Sequence, residues 1–208
     1  MHFEFIAGNL ALDFANTVHN YGAADPEDDL KSHSELVNWV RQAGLLSEAE
    51  SRELDHRARA KPGAAASALR QALRLRRCVY EVFSDIAQSR RPRAVALAGL
   101  NSSYRQAMAQ ASLQRVGDEY RLGWEGDGDT LDRVLWAVTK TAMDLITSPR
   151  LGRVRQCAGS NCSWLFVDTS RNGMRRWCDM QACGNRAKVR RFRQRGKTSQ
   201  AGQEAGAP

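Results

Sequence analysis

RQCAGSNCSWLFVDTSRNGMRRWCDMQACGNRAKVRRFRQR, residues 155–195, is the stretch that decides how this chain of 208 residues is organised. It holds four of the five cysteines, Cys157, Cys162, Cys178 and Cys183, in the spacing C-x4-C-x15-C-x4-C. Two close pairs separated by a short insert are typical of a structural zinc site, because each pair on a tight turn can direct two thiolates at one ion. We therefore predict one Zn²⁺ held by these four side chains.

The predicted zinc site leaves no position for a substrate. Four thiolates complete a tetrahedral shell, so the ion is expected to be structural. A module this small cannot build an adequate apolar core, and metal binding would supply much of its folding energy. The sequence also contains no nucleophile elbow, phosphate-binding loop or HExxH motif. We predict that the protein is not an enzyme.

The cysteines have other interpretations. Two disulfides would suit a secreted protein, but residues 1–10, MHFEFIAGNL, show no basic region followed by a long apolar region. No stretch approaches the roughly 18 apolar residues of a membrane helix. We expect a cytoplasmic protein with reduced thiols, which leaves redox-active or unliganded thiols as the alternative to zinc. The fifth cysteine, Cys78, is predicted to be a buried helix residue.

Positive charge is concentrated in the same part of the chain. The formal net charge is +8, and residues 150–197 contain thirteen Lys or Arg but only two acids, Asp168 and Asp179. Residues 186–197 alone carry seven cations and no acid. A charge asymmetry of this kind indicates a basic module that meets a polyanion. Nucleic acid is the expected partner.

Residues 185–195 are predicted to form a helix that begins just after Cys183. Arg186, Arg190 and Arg193 recur at i, i+4 and i+7, and would share one outward face. The alternative is a solvated basic helix that only balances the zinc thiolates. RNA is an alternative to DNA, although no RNA-specific aromatic motif is evident. The residues expected to contact nucleic acid are Arg186, Lys188, Arg190, Arg191, Arg193 and Arg195.

The rest of the zinc module is predicted from its turns. Residues 157–162 form a knuckle whose Gly and Asn allow a tight turn. Residues 164–167 are typical of a strand, and residues 170–173 of a hairpin turn that leads to a return strand over 174–177. A knuckle, a hairpin and a helix that follows the last ligand form a treble-clef arrangement.

The predicted helix also has an apolar side. Val189 and Phe192 stand at i and i+3, so they would lie together on the helix surface. We predict that they face the hairpin and pack near Trp164 and Trp177. Loss of one zinc ligand is then expected to unfold the finger and to leave the N-terminal domain helical.

The N-terminal part of the chain is predicted to be mostly helical. Ser32 and Ser47 begin capping boxes that start two helices, and a long helical pattern covers residues 64–89. Residues 113–124, around the turn Gly117-Asp118, predict a β-hairpin. The predicted class is α+β, in three parts: a mostly helical domain over 1–149, a zinc finger over 150–195 and a disordered tail over 196–208.

Polar residues also recur along the first helical pattern, GNLALDFANTVHN at residues 8–20. They could line a small-molecule pocket, and a buried Asp13 would need a partner such as Arg70 or Arg74. The alternative is a structural polar network that anchors the first helix. The candidate pocket residues are Asn9, Asp13, Asn16, Thr17 and Arg70.

The cysteine-rich stretch resembles the CGNR zinc finger, which is named for the tetrapeptide found here as Cys183-Gly184-Asn185-Arg186. The C-x4-C pair, the Trp-Leu-Phe-Val-Asp strand and the Ser-Arg-Asn turn match this finger as well. Residues 8–20 resemble the opening of the ABATE domain, which commonly precedes the finger. The order of elements extends that resemblance to about residue 150.

The resemblance implies a stress-induced transcription regulator. We expect a DNA-binding protein that uses its C-terminal finger, with the N-terminal domain as a sensor or dimerisation unit. One alternative is an RNA- or protein-binding adaptor. Another is a small-molecule-binding N-terminal domain with an accessory finger. A homodimer and a small-molecule effector are both compatible with this expectation.

Overall fold

The fold is described from a computed structural model that covers residues 2–124 and 130–204, without the side chains of 130–133 and 195–204. The helices are α1 Leu10–Ala15, α2 His33–Gln42, α3 Glu48–Ala60, α4 Pro62–Ala87, α5 Ala94–Ala109, α6 Thr130–Ile146 and α7 Asn185–Glu204. The strands form three antiparallel pairs, β1 Val18–His19 with β2 Glu27–Asp28, β3 Ala111–Val116 with β4 Glu119–Trp124, and β5 Val154–Gln156 with β6 Leu165–Val167. This is the α+β architecture that the sequence predicts.

The helix starts follow from local chemistry. Ser47 accepts a hydrogen bond from the backbone of Glu50, whose side chain bonds back to Ser47, and this full capping box begins α3. Ser32 caps α2 through the Glu35 backbone N–H. Pro62 stands in the first turn of α4, where its missing N–H costs nothing.

Helix α1 is shorter than the sequence pattern suggests. It ends at Ala15, so Val18, which the helical pattern predicted over residues 8–20 includes, lies instead in strand β1. The reason is local: the chain turns at Asn16 because β1 pairs with β2, with Val18 opposite Asp28. Val18 and Phe14 are nevertheless both buried.

The hairpin β3–β4 confirms the sequence prediction. Gly117 takes a positive φ of 65° at the turn, a conformation that glycine adopts without steric cost. Leu113 lies directly opposite Leu122 in the register. Both side chains are exposed.

The zinc module contains a different hairpin from the predicted one. Strand β6 pairs with β5, which precedes the first cysteine, and residues 174–177 form no strand. The knuckle Cys157–Cys162 is therefore the connection between the two strands, and the Cys157 N–H donates to the Trp164 carbonyl. The sequence missed β5 because Val154–Gln156 is too short to show an alternating pattern.

The module shares one hydrophobic core with the N-terminal helices. Leu165, Phe166 and Val167 of β6 are buried in the same cluster as Phe14 of α1 and Phe83 of α4. The Val167 N–H donates to the carbonyl of Ala7 at 2.8 Å. The finger is therefore packed against the N-terminal region as part of a continuous structure.

Helix α7 differs from the prediction in two ways. It continues to Glu204, where the sequence predicts a disordered tail from residue 196. Residues 205–208 lie outside the described residues. The prediction that Val189 and Phe192 pack on the hairpin is wrong, since both are exposed. The apolar side of β6 is already covered by α1 and α4. In the described part of the chain, no helix is long and apolar enough to cross a membrane.

Candidate zinc centre and basic helix

The four cysteines predicted as ligands converge on one point. Their Sγ atoms all lie within 4.8 Å of one another. The Sγ of Cys178 is 3.6 Å from that of Cys162 and 3.7 Å from that of Cys183. Two sulfurs on a tetrahedral zinc, each at about 2.3 Å, are about 3.8 Å apart. The spacing of the thiols therefore fits one Zn²⁺.

Two turns set this geometry. The first is the knuckle, where a Cβ added at Gly159 would lie 3.1 Å from the Cβ of Cys162 and 3.4 Å from the Sγ of Cys183. A larger residue there would crowd the ligands. The second is the π-helical turn Met180–Gly184, where Asp179 caps the turn by accepting from the Ala182 N–H. It places Cys183 two residues before the start of α7.

Hydrogen bonds to the sulfurs offset part of their negative charge. The backbone N–H groups of Gly159 and Cys178 donate to the Sγ of Cys157, each at 3.4 Å. The guanidinium of Arg186 donates to the Sγ of Cys183 at 3.1 Å. Such outer partners orient metal ligands and tune their basicity. The thiolate contact raises the pKa of Arg186, which keeps the side chain charged.

Without a cation, the four neighbouring thiols cannot all lose their protons easily, because negative charge on one sulfur disfavours deprotonation of the next. Hydrogen bonds from Cys162 and Cys178 lower the pKa of Cys157. The proximity of Cys157 raises the pKa of both Cys162 and Cys178. A bound metal ion removes this obstacle to deprotonation, because a thiol that coordinates a metal loses its proton. The donor set, four sulfurs in a tetrahedral spacing, suits zinc.

Asp168 organises the loop between β6 and the second cysteine pair. It is buried, and its carboxylate accepts from the Ser170 N–H, the Ser170 hydroxyl and the Arg175 N–H. Burial opposes ionisation, but these bonds lower the pKa of Asp168 overall. The signal for this role was present in the sequence, since Asp168 and Ser170 stand two residues apart as in an Asx turn.

Arg175 braces the second pair of cysteines. Its guanidinium donates to the backbone carbonyls of Trp177 and Cys178. It also lies over the ring of Phe166, 4.5 Å from the centroid, in a cation–π contact. Arg175 therefore stabilises the finger, and the sequence had placed it only in a return strand.

The cations predicted to contact nucleic acid lie on α7, and one of them, Arg186, has a second contact. Lys188, Arg190, Arg191 and Arg193 are all exposed. Arg186 is exposed as well, but its guanidinium contacts the Cys183 thiolate, so it is bound to the zinc centre. The side chain of Arg195 lies outside the described residues.

The polar residues of the first helix are brought together, but Arg70 is not among them. Arg70 is exposed on α4. The cation in this region is Arg76, whose Nη1 donates to Thr17 at 3.0 Å and which forms a bidentate pair with Asp28 at 2.8 and 2.6 Å. The prediction of Arg70 is wrong because Arg76, not Arg70, lies on the buried side of α4.

Each polar residue of α1 has a structural partner. Asn9 caps the helix and also donates to the carbonyl of Thr141. Asp13 accepts from the Ala7 N–H at 2.8 Å. Asn16 exchanges two hydrogen bonds with the backbone of Leu165. The predicted structural network is therefore present, and Asp13, Asn16 and Thr17 also line a cavity of about 200 Å³.

A four-cysteine zinc centre that carries a basic helix places the chain among zinc finger proteins. A family model described as CGNR zinc finger matches residues 153–196. The ABATE model, described as "Putative stress-induced transcription regulator", matches residues 8–149. The chain therefore belongs to the ABATE family and carries a CGNR zinc finger. Among curated proteins, no sequence matches this chain.

Proposed function

We propose that this protein is a transcription regulator whose helix α7 binds duplex DNA through the phosphates. The observation that carries the proposal is that the exposed cations in the described part of α7 lack carboxylate partners. Lys188, Arg190 and Arg193 form no ion pair with any acid of the described residues. On the N-terminal helices, some cations do have such partners, since Arg41 and Arg77 each lie against a glutamate.

Unpaired cations on a projecting helix favour a polyanionic partner. Each phosphate that a Lys or Arg neutralises releases condensed counterions, which stabilises the complex and makes affinity depend on salt. Helix α7 is held mainly by its first turn, because Arg186 contacts Cys183 and the later residues of the described helix are exposed. The zinc centre would thus fix the direction in which α7 meets DNA.

A titration of labelled duplex DNA, about two helical turns long, tests the proposal at low salt. We expect the wild-type chain to bind, and Arg190→Ala and Arg193→Ala each to bind more weakly. The matched control is Arg59→Ala, which removes an equal charge from an exposed position on α3. No binding by the wild-type chain, or equal losses for all three variants, would contradict the proposal. Duplex RNA of the same sequence is the second arm, and tighter binding to it would replace DNA by RNA.

The apolar residues on α7 favour a second candidate, docking on another protein. Phe192 is 80% exposed and Val189 50% exposed, although both were expected in the core. Large apolar side chains in such positions are frequent in interaction surfaces. Duplex binding by the wild-type chain and by Phe192→Ala distinguishes a DNA partner from a protein partner. If DNA is the partner, Phe192→Ala leaves the salt dependence of duplex binding unchanged, because no phosphate contact is lost. If a protein is the partner, the wild-type chain does not bind duplex even at low salt.

The N-terminal region completes the proposal. We assign residues 1–149 the role of sensing a signal or joining two copies of the chain, in a cytoplasmic protein that catalyses no reaction. The structural support is the shared core, since buried residues of β6 pack with α1 and α4. A shift in the position of α1 would therefore alter the packing of β6 in the finger.

A further inference from the structure

A cavity lies where the N-terminal region meets the finger. We call it the junction cavity, and its volume is about 200 Å³. Its wall combines Asp13 of α1, Trp39 of α2 and Trp164, which stands between the knuckle and β6. His19 and Asp29 also line it, joined by a 2.8 Å bond from the imidazole Nε2 to the carboxylate. A molecule held there would contact both parts of the protein.

Two hydrogen-bond donors in this wall lack an acceptor. Trp39 is fully buried and Trp164 is 9% exposed, and the indole N–H of each has no partner among the described residues. Buried indole N–H groups usually find a partner, because leaving one unmade costs free energy. Two other polar side chains of the wall already have partners, since Asn16 bonds Leu165 and the Thr17 hydroxyl donates to the Phe14 carbonyl. An acceptor oxygen on a ligand would satisfy the two indole N–H groups.

The charge of the wall indicates what else such a ligand carries. Glu4, Asp13 and Asp29 are the acids of the wall, and none of its described residues is Lys or Arg. Asp13 is buried and accepts from the backbone N–H groups of Ala7 and Ile6, but it has no cationic partner among the described residues. A buried carboxylate is stabilised by a nearby cation, and aromatic rings also attract ammonium groups. At about 30 Å³ for each water-sized group, the cavity has room for about seven of them.

We propose that the junction cavity binds a small organic ammonium that also carries an acceptor oxygen, a molecule the size of an amino alcohol or a small amino acid. The ammonium group lies towards Asp13, and the oxygen accepts from the indole N–H groups of Trp39 and Trp164. This site is separate from the zinc centre and from the cations of α7.

The test observes the two indoles directly in the zinc-loaded full chain labelled with ¹⁵N-tryptophan. The chain has five tryptophans, so five indole signals are expected, and Trp39→Phe and Trp164→Phe assign the two of interest. The probes are ethanolamine, serine and choline. Ethylamine and ethylene glycol are the comparators, because each lacks one of the two required groups. We expect at least one probe to shift the Trp39 and Trp164 signals and to leave Trp136 unmoved, with both comparators at least about tenfold weaker.

Variants of the acid complete the test. Asp13→Asn keeps the size of the side chain and should lower the affinity for the probe about tenfold or more. Asp25→Asn, at an exposed position, should leave that affinity unchanged. If Asp13→Asn does not fold, the comparison of probes with comparators in the wild-type chain still decides. The proposal is overturned if no probe moves the two signals, if the comparators bind as well as the probes, or if Asp13→Asn binds like wild type. The cavity would then be a structural feature only.

Discussion

Asn16, the C-cap of helix α1, takes the place of a strand partner for Leu165 of the finger. Its side-chain Nδ2 donates to the Leu165 carbonyl at 2.9 Å, and the Leu165 N–H donates to its Oδ1 at 2.8 Å. Both residues are buried. One amide side chain thus satisfies the hydrogen bonds of two backbone groups at the edge of β6. Backbone N–H and carbonyl groups that are buried need such partners. This pair joins the N-terminal region to the zinc module.

Replacing Asn16 should therefore destabilise the whole chain. Asn16→Ala leaves the N–H and the carbonyl of Leu165 buried without partners, and we expect a loss of about 2 kcal/mol or more in the free energy of unfolding. Urea denaturation followed by far-UV circular dichroism measures it. Asn101→Ala, at an exposed position on α5, is the control and should change stability little. Equal stabilities for the two variants would mean that the Asn16–Leu165 pair contributes nothing.

Loss of zinc should reduce the protection of backbone amides outside the finger as well. Cys183→Ser removes one ligand, and we expect metal analysis to find one zinc per wild-type chain and none retained by the variant after dialysis. The helices α2–α5 should stay helical, but backbone amides of α1 should exchange faster with solvent, because β6 packs on α1. Hydrogen exchange measured by mass spectrometry reports this.

The control for the zinc prediction is Cys78→Ser, since Cys78 lies on α4 outside the four-cysteine cluster. It should keep its zinc and the wild-type exchange rates in α1. A wild-type protein without metal, whose finger amides are still protected, would show that the cysteines do not need zinc.

Variants of Arg186 and Arg190 should differ in zinc affinity, because only Arg186 contacts a zinc ligand. Arg186→Ala removes the hydrogen bond to the Cys183 thiolate, and we expect zinc affinity to fall about tenfold, as for other outer partners of metal ligands. Arg190→Ala should leave zinc affinity unchanged, because Arg190 makes no such contact in the described structure. Competition with a chromophoric chelator gives both affinities. The same affinity for both variants would place Arg186 with the other surface cations.

The pH dependence of stability should contain a contribution from Asp13. Burial raises the pKa of Asp13 to about 6 from an ordinary 3.8, although backbone hydrogen bonds from Ala7 and Ile6 oppose the rise. The folded state therefore holds its proton more tightly than the unfolded state. The contribution of Asp13 to stability is therefore fully present below pH 3.8 and is lost as the pH rises through about 6.

Asp13→Asn removes this contribution while keeping an acceptor for the Ala7 N–H. Relative to the variant, wild type should lose about 1 kcal/mol between pH 5 and pH 7. Chemical denaturation of both proteins at each pH cancels effects common to them, including any change at the zinc thiolates. Asp25→Asn, exposed in the described chain, should show no such trend. A difference between wild type and Asp13→Asn that does not vary with pH would contradict a raised pKa.

The sequence was sufficient for features whose signal is local. The cysteine spacing predicted the four ligands, Ser47 with Glu50 predicted the start of α3, and Gly117 predicted the hairpin turn. In each case a few neighbouring residues determine the geometry. The α+β class follows from the same local patterns.

Features set by packing between distant segments were missed. Val189 and Phe192 had the helical spacing of a buried face, but α1 and α4 already cover β6. Arg76 was overlooked in favour of Arg70 because the buried side of α4 depends on where α1 and β2 pack. Trp39 and Trp164 meet at one cavity only in the folded chain.

The salt dependence of duplex binding tests the central claim most directly. Affinity for labelled duplex DNA is measured at several salt concentrations for the wild-type chain, for the double variant Arg190→Ala/Arg193→Ala and for Arg59→Ala. If each of the two arginines contacts a phosphate, the slope of log affinity against log salt should flatten by about two units in the double variant and stay at the wild-type value in Arg59→Ala. A wild-type chain that does not bind duplex at low salt, or a double variant with the wild-type slope, would contradict the assignment of α7 to nucleic acid.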